Sequence, residues 1–171
     1  MRRYLRFPNP VNEYAARTVA AGVVLQTLAF VVTGWRWLTV PLAFGFVARV
    51  LSGPTFSPLG RLATQVVVPR LPVEPRFVPG PPKRFAQGIG AFLSVSGLVV
   101  AFAGVDWLAR LIVAAITVAA VLESVFGYCL GCTIFGRLMR AGLIPATVCE
   151  SCGDVTARLA ARAAAQEALV P

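Results

Sequence analysis

Long apolar runs alternate along this chain with short connections rich in glycine, proline, tryptophan or charge. A run of about twenty apolar residues is long enough to cross the hydrocarbon core of a bilayer as a helix. Short turns at 34–37 and 106–107 each join two neighbouring runs. The pattern therefore predicts an all-α fold, a four-transmembrane-helix bundle built from two tight hairpins. The predicted spans are 14–33, 38–51, 86–105 and 107–128.

The stretch 52–85 is the longest connection between apolar runs. Its eight prolines argue against a continuous helix or a central strand. Ser57 followed by Pro58 nevertheless predicts a helix start, because apolar residues recur at helical spacing from Leu59 to Val67. This short helix lies either in the membrane interface or against the protein itself. The remainder of the stretch is predicted to be a proline-rich linker.

Composition supports a membrane protein and gives it an orientation. The chain is 57% hydrophobic and only 13% charged, with 16 Lys and Arg against 7 Asp and Glu. The basic residues are spread along the connections and are not clustered with aromatic residues, so nucleic acid is not an expected partner and the lipid bilayer is. All of them except Arg36 and Arg110 fall on one side of the predicted bundle. By the positive-inside rule, the chain is a multi-pass protein of the cell (inner) membrane with both termini and the 52–85 loop cytoplasmic.

Two regions follow from this pattern. Residues 1–142 form the predicted membrane domain, and 143–171 form a cytoplasmic tail that carries cysteines and is helical from Val155 to Val170. The fourth span is expected to continue as helix past residue 128, through Arg137 and Arg140, until Gly142 provides a C-cap.

All four cysteines lie near the junction of these regions, at Cys129, Cys132, Cys149 and Cys152. Their spacing, C-x2-C-x16-C-x2-C, fits a four-thiolate zinc site. Such a site has no open position, so it would make the protein a scaffold or interaction module and not an enzyme. Zinc is the favoured cofactor, and an iron–sulfur cluster is a less favoured use of the same four cysteines.

Each cysteine pair also has the C-x-x-C spacing of thiol redox chemistry. In this alternative, Cys129 and Cys132 form one dithiol and Cys149 and Cys152 another, and they exchange with a soluble thioredoxin-like or sulfurtransferase partner. Reactive cysteines usually gain a lowered pKa at a helix N-terminus, whereas Cys129 is expected inside a continuing helix, which counts against this alternative. A third possibility is that some of the thiols only pack as small hydrophobic groups.

Two charged residues fall inside the predicted fourth span, Arg110 near its start and Glu123 near its end. Glu123 is close enough to the cytoplasmic end to snorkel or to pair with Arg49. A proton or substrate path through Glu123 and Arg110 is the more specific alternative.

The residues before the first span form a conspicuous segment that includes Pro8, Asn9, Asn12 and Glu13. This segment could be a binding loop, but the simpler interpretation makes Asn12 the N-cap of the first helix and places Glu13 in its positive first turn.

With this segment, Phe7-Pro8-Asn9-Pro10-Val11-Asn12-Glu13, and the sequence Gly127-Tyr128-Cys129-Leu130-Gly131-Cys132 after the fourth span, the chain resembles a small bacterial membrane-protein family of unknown function. The family is common in actinobacteria and firmicutes, and the resemblance covers residues 7 to 142. It implies no established activity. Firmicute members tend to have only the first cysteine pair, which implies a role for that pair that does not depend on four cysteines.

Overall fold

The computed structural model describes residues 7–72, 74–149 and 152. The helix predicted over Val155–Val170 lies outside these residues. The described part is mostly helical, as predicted, and contains one short antiparallel pairing of strands β1 and β2. The elements are β1 Val11–Asn12, α1 Glu13–Thr33, α2 Thr39–Ser52, α3 Pro58–Arg61, β2 Phe77–Val78, α4 Gly80–Phe102, α5 Asp106–Phe126 and α6 Leu130–Arg140.

The start of α1 follows the prediction. The Asn12 side-chain oxygen accepts hydrogen bonds from the backbone N–H groups of Tyr14 at 2.9 Å and Ala15 at 3.3 Å. These bonds satisfy donors that have no partner inside the helix. Helix α1 ends at Thr33 because Gly34 adopts the left-handed conformation, with φ of 68°, that other residues rarely adopt.

Within the described residues, three helices are long and apolar enough to cross a membrane: α1, α4 and α5. Large apolar side chains such as Val32, Phe92 and Phe126 are exposed on their outer surfaces, which is consistent with a membrane protein. Helix α2 has 14 residues. At a rise of 1.5 Å per residue it is about 21 Å long, shorter than the roughly 30 Å hydrocarbon core. The arrangement of four spans therefore stays a prediction.

Helix α4 lies at the centre of the bundle. It packs against α2 on one side and α5 on the other, while α1 packs mainly against α5. Close approach depends on small residues of α4: Gly90 faces the ring of Phe46 from α2, and a Cβ at Gly97 would lie 3.3 Å from a methyl group of Val113 on α5. The cytoplasm-facing end predicted from charge is the end where α1 and α4 begin and α2 and α5 finish.

The connection between α2 and α4 is more ordered than the predicted linker. Ser57 caps α3 as expected, and the helical path continues through a π-helical turn, Leu62–Val67, and a 3₁₀ turn, Val68–Arg70. This segment packs against α1, where Leu59 covers Gly22. Of the two placements considered for the short helix, the structure therefore supports packing on the protein itself.

Helix α4 begins at Gly80, within the stretch predicted as linker and six residues before the predicted start of the span. Pro81 and Pro82 fall in its first turn, where the missing N–H groups have no helical partner to lose. The prolines therefore start the helix here instead of preventing it.

The helix expected to continue beyond residue 128 is interrupted, and this prediction was wrong. Helix α5 ends at Phe126, and Gly127 caps it in the left-handed conformation with φ of 68°. A new helix, α6, then begins at Leu130 with Cys129 as its N-cap. The break occurs because Gly127 adopts a positive φ at no steric cost. The break places Cys129 at a helix N-terminus instead of inside a continuing helix.

Candidate functional site

Cys129 and Cys132, called the inner pair below, lie at the N-terminus of α6. Cys129 is the N-cap residue, and its Sγ accepts a hydrogen bond from the backbone N–H of Cys132 at 3.4 Å. Both thiols are free and partly buried. A helix N-terminus carries partial positive charge, which favours a thiolate. The inner pair thus occupies the position usual for reactive cysteines, not the mid-helix position expected from the sequence.

Cys149 and Cys152, called the outer pair, are joined by a disulfide. Cys149 is buried, with 3% of its surface exposed, whereas Cys152 is only partly buried. Cys152 lines a pocket of about 450 Å³ together with Cys129 and Cys132. The structure therefore brings the reduced inner pair and one sulfur of the oxidised outer pair to the same pocket.

Close packing of α6 on α4 holds the inner pair in place. A Cβ at Gly131 would lie 2.6 Å from the Cα of Ala86 on α4, so a larger residue does not fit without a shift of one helix. Lys83 lies one turn before Ala86 on α4 and lines the same pocket as the inner pair. Gly131 thereby allows the first turn of α6 to lie beside Lys83.

Lys83 forms an ion pair with Glu123. Its Nζ donates to Oε1 of Glu123 at 2.5 Å, and the two side chains are only 9% and 16% exposed. The expected pairing of Glu123 with Arg49 does not occur. Sequence reasoning missed Lys83 because the preceding prolines placed it in a linker, although prolines in a first turn are a known sign of a helix start.

Arg49 has its own set of partners. It is 4% exposed and donates to Oε1 of Gln87 at 2.9 Å and to Oγ of Ser57 at 3.1 Å. Its guanidinium also lies 4.4 Å from the centre of the Phe46 ring. These contacts join α2 to α4 and to the start of α3.

Arg110 and Glu123 are not brought together. Arg110 lies next to Gly34, in the turn that follows α1. It lies thirteen positions before Glu123 along α5, which corresponds to about 20 Å at 1.5 Å per residue. A proton or substrate path through Arg110 and Glu123 would have to cover that distance, because the two side chains are not in contact.

The N-terminal segment and the cysteine motif meet in space. The side chain of Glu13 pairs with Arg76 at 3.0 Å, and its Oε1 would lie 3.2 Å from a Cβ at Gly127. Asn9 accepts a hydrogen bond from the backbone N–H of Gly80 at 3.0 Å, at the start of α4. Pro8 packs directly against Gly53. The segment thus contacts the ends of α2 and α5 and the start of α4, in addition to capping α1.

Arg17, one turn into α1, fixes the end of α5. Its Nε donates to the Ser124 carbonyl at 3.1 Å and its guanidinium to the Val125 carbonyl at 2.7 Å. Carbonyls at a helix C-terminus lack intrahelical donors, and a cation satisfies them well. Arg17 therefore supports the break before the inner pair.

The two inner thiols differ in acidity. The hydrogen bond donated by the Cys132 thiol lowers the pKa of Cys129, assisted by the positive charge of Lys83 and the Cys132 backbone N–H, although burial and Glu123 oppose the effect. The same hydrogen bond raises the pKa of Cys132, because Cys132 is the donor, and burial raises it further. Cys129 is therefore the thiol that ionises first, and Cys132 keeps its proton.

Residues 11–140 match the model of the family described as Domain of unknown function (DUF4395). The chain belongs to the DUF4395 family. Comparison with curated proteins gives no match, and comparison with solved structures gives none. The DUF4395 match includes the inner pair, Lys83 and Glu123, and it ends before the outer pair.

Zinc binding by this DUF4395 protein would place a geometric requirement on its four cysteines. A structural zinc site needs four thiolates in a tetrahedron. Among the described residues, which include all four cysteines, no three Cys, Asp or Glu side chains are grouped to hold a metal ion. Two of the four sulfurs are bonded to each other. The zinc site and the iron–sulfur cluster stay predictions, and both would require the outer pair to be reduced and to move.

Proposed function

We propose that this protein is a membrane thiol–disulfide oxidoreductase in which the inner and outer pairs exchange electrons. One observation carries the proposal: a reduced C-x-x-C at a helix N-terminus shares a pocket with Cys152, one of the two sulfurs of an oxidised C-x-x-C. Reduced and oxidised pairs within reach of each other are the reactants of thiol–disulfide exchange.

The exchange begins at Cys129. Its thiolate attacks Sγ of Cys152, which lines the pocket, and Cys149 leaves as a thiolate. The bond between Cys149 and Cys152 breaks as a mixed disulfide between Cys129 and Cys152 forms. Cys132 then loses its proton and attacks Sγ of Cys129, which releases Cys152.

Electrons and protons balance within the chain. The inner pair loses two electrons and two protons and becomes a disulfide, while the outer pair gains both and becomes a dithiol. Run in reverse, the reaction passes through the same mixed disulfide. Lys83 supports either direction because its charge stabilises the Cys129 thiolate.

Location supports this chemistry as well. In the proposed topology, with four spans and both termini cytoplasmic, the pocket opens towards the cytoplasm. Disulfides in that compartment are rare, and those that occur are usually transient and catalytic or redox-sensing. We propose that a soluble thioredoxin-like or sulfur-carrying protein exchanges with the outer pair.

The test is to trap the mixed disulfide. In Cys132→Ser, Cys129 still attacks but nothing resolves the product, so a Cys129–Cys152 disulfide should accumulate when the oxidised outer pair is present. Trypsin cleavage after Arg110, Arg137, Arg140 and Arg158 places the two pairs on separate peptides, 111–137 and 141–158. Mass spectrometry should therefore detect one cross-linked peptide pair in this variant.

Cys129→Ser is the matched control, because it removes the attacking thiol and leaves Cys132 in place. It should give no link between the two peptides. Equal cross-linking in both variants, or none in Cys132→Ser, would overturn the proposal.

A zinc-dependent scaffold is the second candidate, favoured by one observation: Cys152 lies in the same pocket as the inner pair. Metal content and free thiols should be measured together on full-length protein purified under reducing conditions. About one zinc per chain, lost when any one cysteine becomes serine, would establish the scaffold. Metal-free protein whose four thiols oxidise and reduce reversibly would support the oxidoreductase.

A further inference from the structure

We propose that a lipid-soluble quinone binds in the cavity inside the helix bundle and accepts the electrons of the inner pair. This inference rests on the proposed thiol–disulfide function, and it identifies the substrate class at the membrane side of the same site. The outer pair then faces the soluble partner, and the inner pair faces the quinone.

The cavity is distinct from the pocket lined by Cys152, and Cys129 lines both. It has a volume of about 230 Å³ and lies between α1, α2, α4 and α5, with the start of α6 at one end. Its walls are mainly apolar, with small residues such as Ala16, Gly90 and Ala119. Three of these helices are long and apolar enough to span a membrane, so a ligand would reach the cavity from the lipid phase.

One end of the cavity is polar and contains the reactive thiol. Cys129, Glu123, Gln87 and Arg49 all line it. Gln87 accepts from Arg49 through Oε1, so its NH₂ group is the part that can donate to a ligand carbonyl. An apolar cavity with a few polar groups at one end is typical of a site that binds and orients a largely apolar small molecule.

The chemistry of the inner pair limits the class of ligand. The ligand must accept two electrons and two protons, dissolve in lipid, and present an oxygen to hydrogen-bond donors. A quinone has all three properties. The inner thiols lose their two S–H bonds and form one S–S bond, while the two quinone carbonyls become hydroxyl groups. The outer dithiol then reduces the inner disulfide and returns the pair to its starting state.

The cavity is smaller than most small-molecule pockets, which limits the ligand to a small ring. Small-molecule pockets usually measure roughly 300–1,000 Å³. The cavity, at about 230 Å³ and partly open, is large enough for the ring of a quinone and not for a long side chain. A side chain on the ring would extend out of the cavity towards the apolar outer surface.

The test uses full-length protein in lipid nanodiscs, reduced and freed of reductant, and then mixed anaerobically with menadione. Loss of quinone absorbance should coincide with loss of two thiols per chain. Cys129→Ser should abolish the reaction. Any thiol loss that remains in this variant measures the direct reaction of menadione with other thiols.

Two neighbouring substitutions on α5 test the cavity. Ala119 lines it, whereas Val118 is 59% exposed on the outer surface. Ala119→Phe should lower the rate of menadione reduction by about tenfold or more, because it displaces the ring from the thiol. Val118→Phe should leave the rate unchanged. Equal rates in the two variants would overturn the cavity assignment.

A photoreactive azidoquinone gives a measurement on the unmodified chain. It should label peptide 111–137, which carries Ala119 and Glu123, and excess menadione should suppress the labelling. Absence of menadione reduction in a protein that still forms the Cys129–Cys152 disulfide would overturn the quinone inference alone. Absence of both reactions would overturn the proposed function as well.

Discussion

Gly131 on α6 lies so close to Ala86 on α4 that an added Cβ would be 2.6 Å from the Ala86 Cα. The obstacle is backbone, so it cannot move aside as a flexible side chain would. This contact fixes the distance between the first turn of α6, which holds the inner pair, and the first turns of α4, which hold Lys83.

Gly131→Ala should therefore separate the two helices. We expect a loss of stability of about 1–3 kcal/mol from overpacking. Alkylation of Cys129 by iodoacetamide at neutral pH should also slow, because Lys83 moves away from the thiol. Unfolding in increasing SDS and alkylation followed by mass spectrometry check the two effects.

Gly136→Ala is the matched control on the same helix. Among the described residues, and apart from the backbone of α6 itself, no atom lies within 4 Å of a Cβ at Gly136. This substitution should stabilise the protein by up to about 1 kcal/mol, because alanine restricts the unfolded chain more than glycine does. A Gly131→Ala protein that behaves like Gly136→Ala would show that the close packing of α6 on α4 is absent.

Removal of either partner of the Lys83–Glu123 pair should leave the other charge buried without compensation. We expect Lys83→Met or Glu123→Gln alone to destabilise the protein by up to about 3 kcal/mol. The double variant, Lys83→Met with Glu123→Gln, should recover much of this loss, because no uncompensated charge remains. Unfolding in SDS of all four proteins gives the coupling energy, and additive losses would contradict the pairing.

The pH dependence of Cys129 reactivity follows from its neighbour Cys132. Since the hydrogen bond from Cys132 lowers the pKa of Cys129, the alkylation rate of Cys129 should reach half of its maximum below pH 9.0, the ordinary thiol value. Cys132→Ala removes the donor, so the Cys129 profile should shift to higher pH.

Cys132→Ser retains a hydroxyl donor and should shift the Cys129 profile much less than Cys132→Ala does. Rates measured from pH 5 to pH 10 with the outer pair kept as a disulfide check both variants. Identical profiles for alanine and serine would show that the side-chain hydrogen bond does not set the acidity of Cys129.

The cap at Asn12 gives a prediction about the start of α1. Asn12→Ala should lower stability by about 1 kcal/mol, because the N–H groups of Tyr14 and Ala15 lose their acceptor. Asn12→Asp keeps an acceptor and should retain most of the stability. Thermal unfolding in detergent compares the two, and an equal loss in both would exclude capping as the role of Asn12.

Local signals in the sequence predict much of the fold. Hydrophobic runs locate α1 and α5 closely, and the caps at Asn12 and Ser57 occur where a side-chain acceptor precedes a helical pattern. Helix α6 ends at Arg140, followed by Gly142 with φ of 74°, as the predicted cap requires. Each of these features depends on residues that are neighbours in the chain.

The site depends on contacts between distant residues, which a single sequence does not reveal. The pairing of Lys83 with Glu123 joins residues 40 positions apart, and Glu13 reaches Gly127 across an even longer separation. The break at Gly127 had a local signal, the glycine itself, but glycine also occurs within helices such as α4. The hydrogen bonds of Arg17 to the carbonyls at the end of α5 also support the break, and they join residues more than 100 positions apart.

Covalent attachment of the outer pair has a consequence for kinetics. In the proposed exchange, Cys152 would act as an internal substrate, because it is tethered to α6 and lies in the same pocket as Cys129. A short tether gives an effective concentration of about the millimolar range. In the proposed cycle, a soluble thiol at micromolar concentration would rarely reach the inner disulfide before Cys152 does, so most electrons from solution would enter through the outer pair.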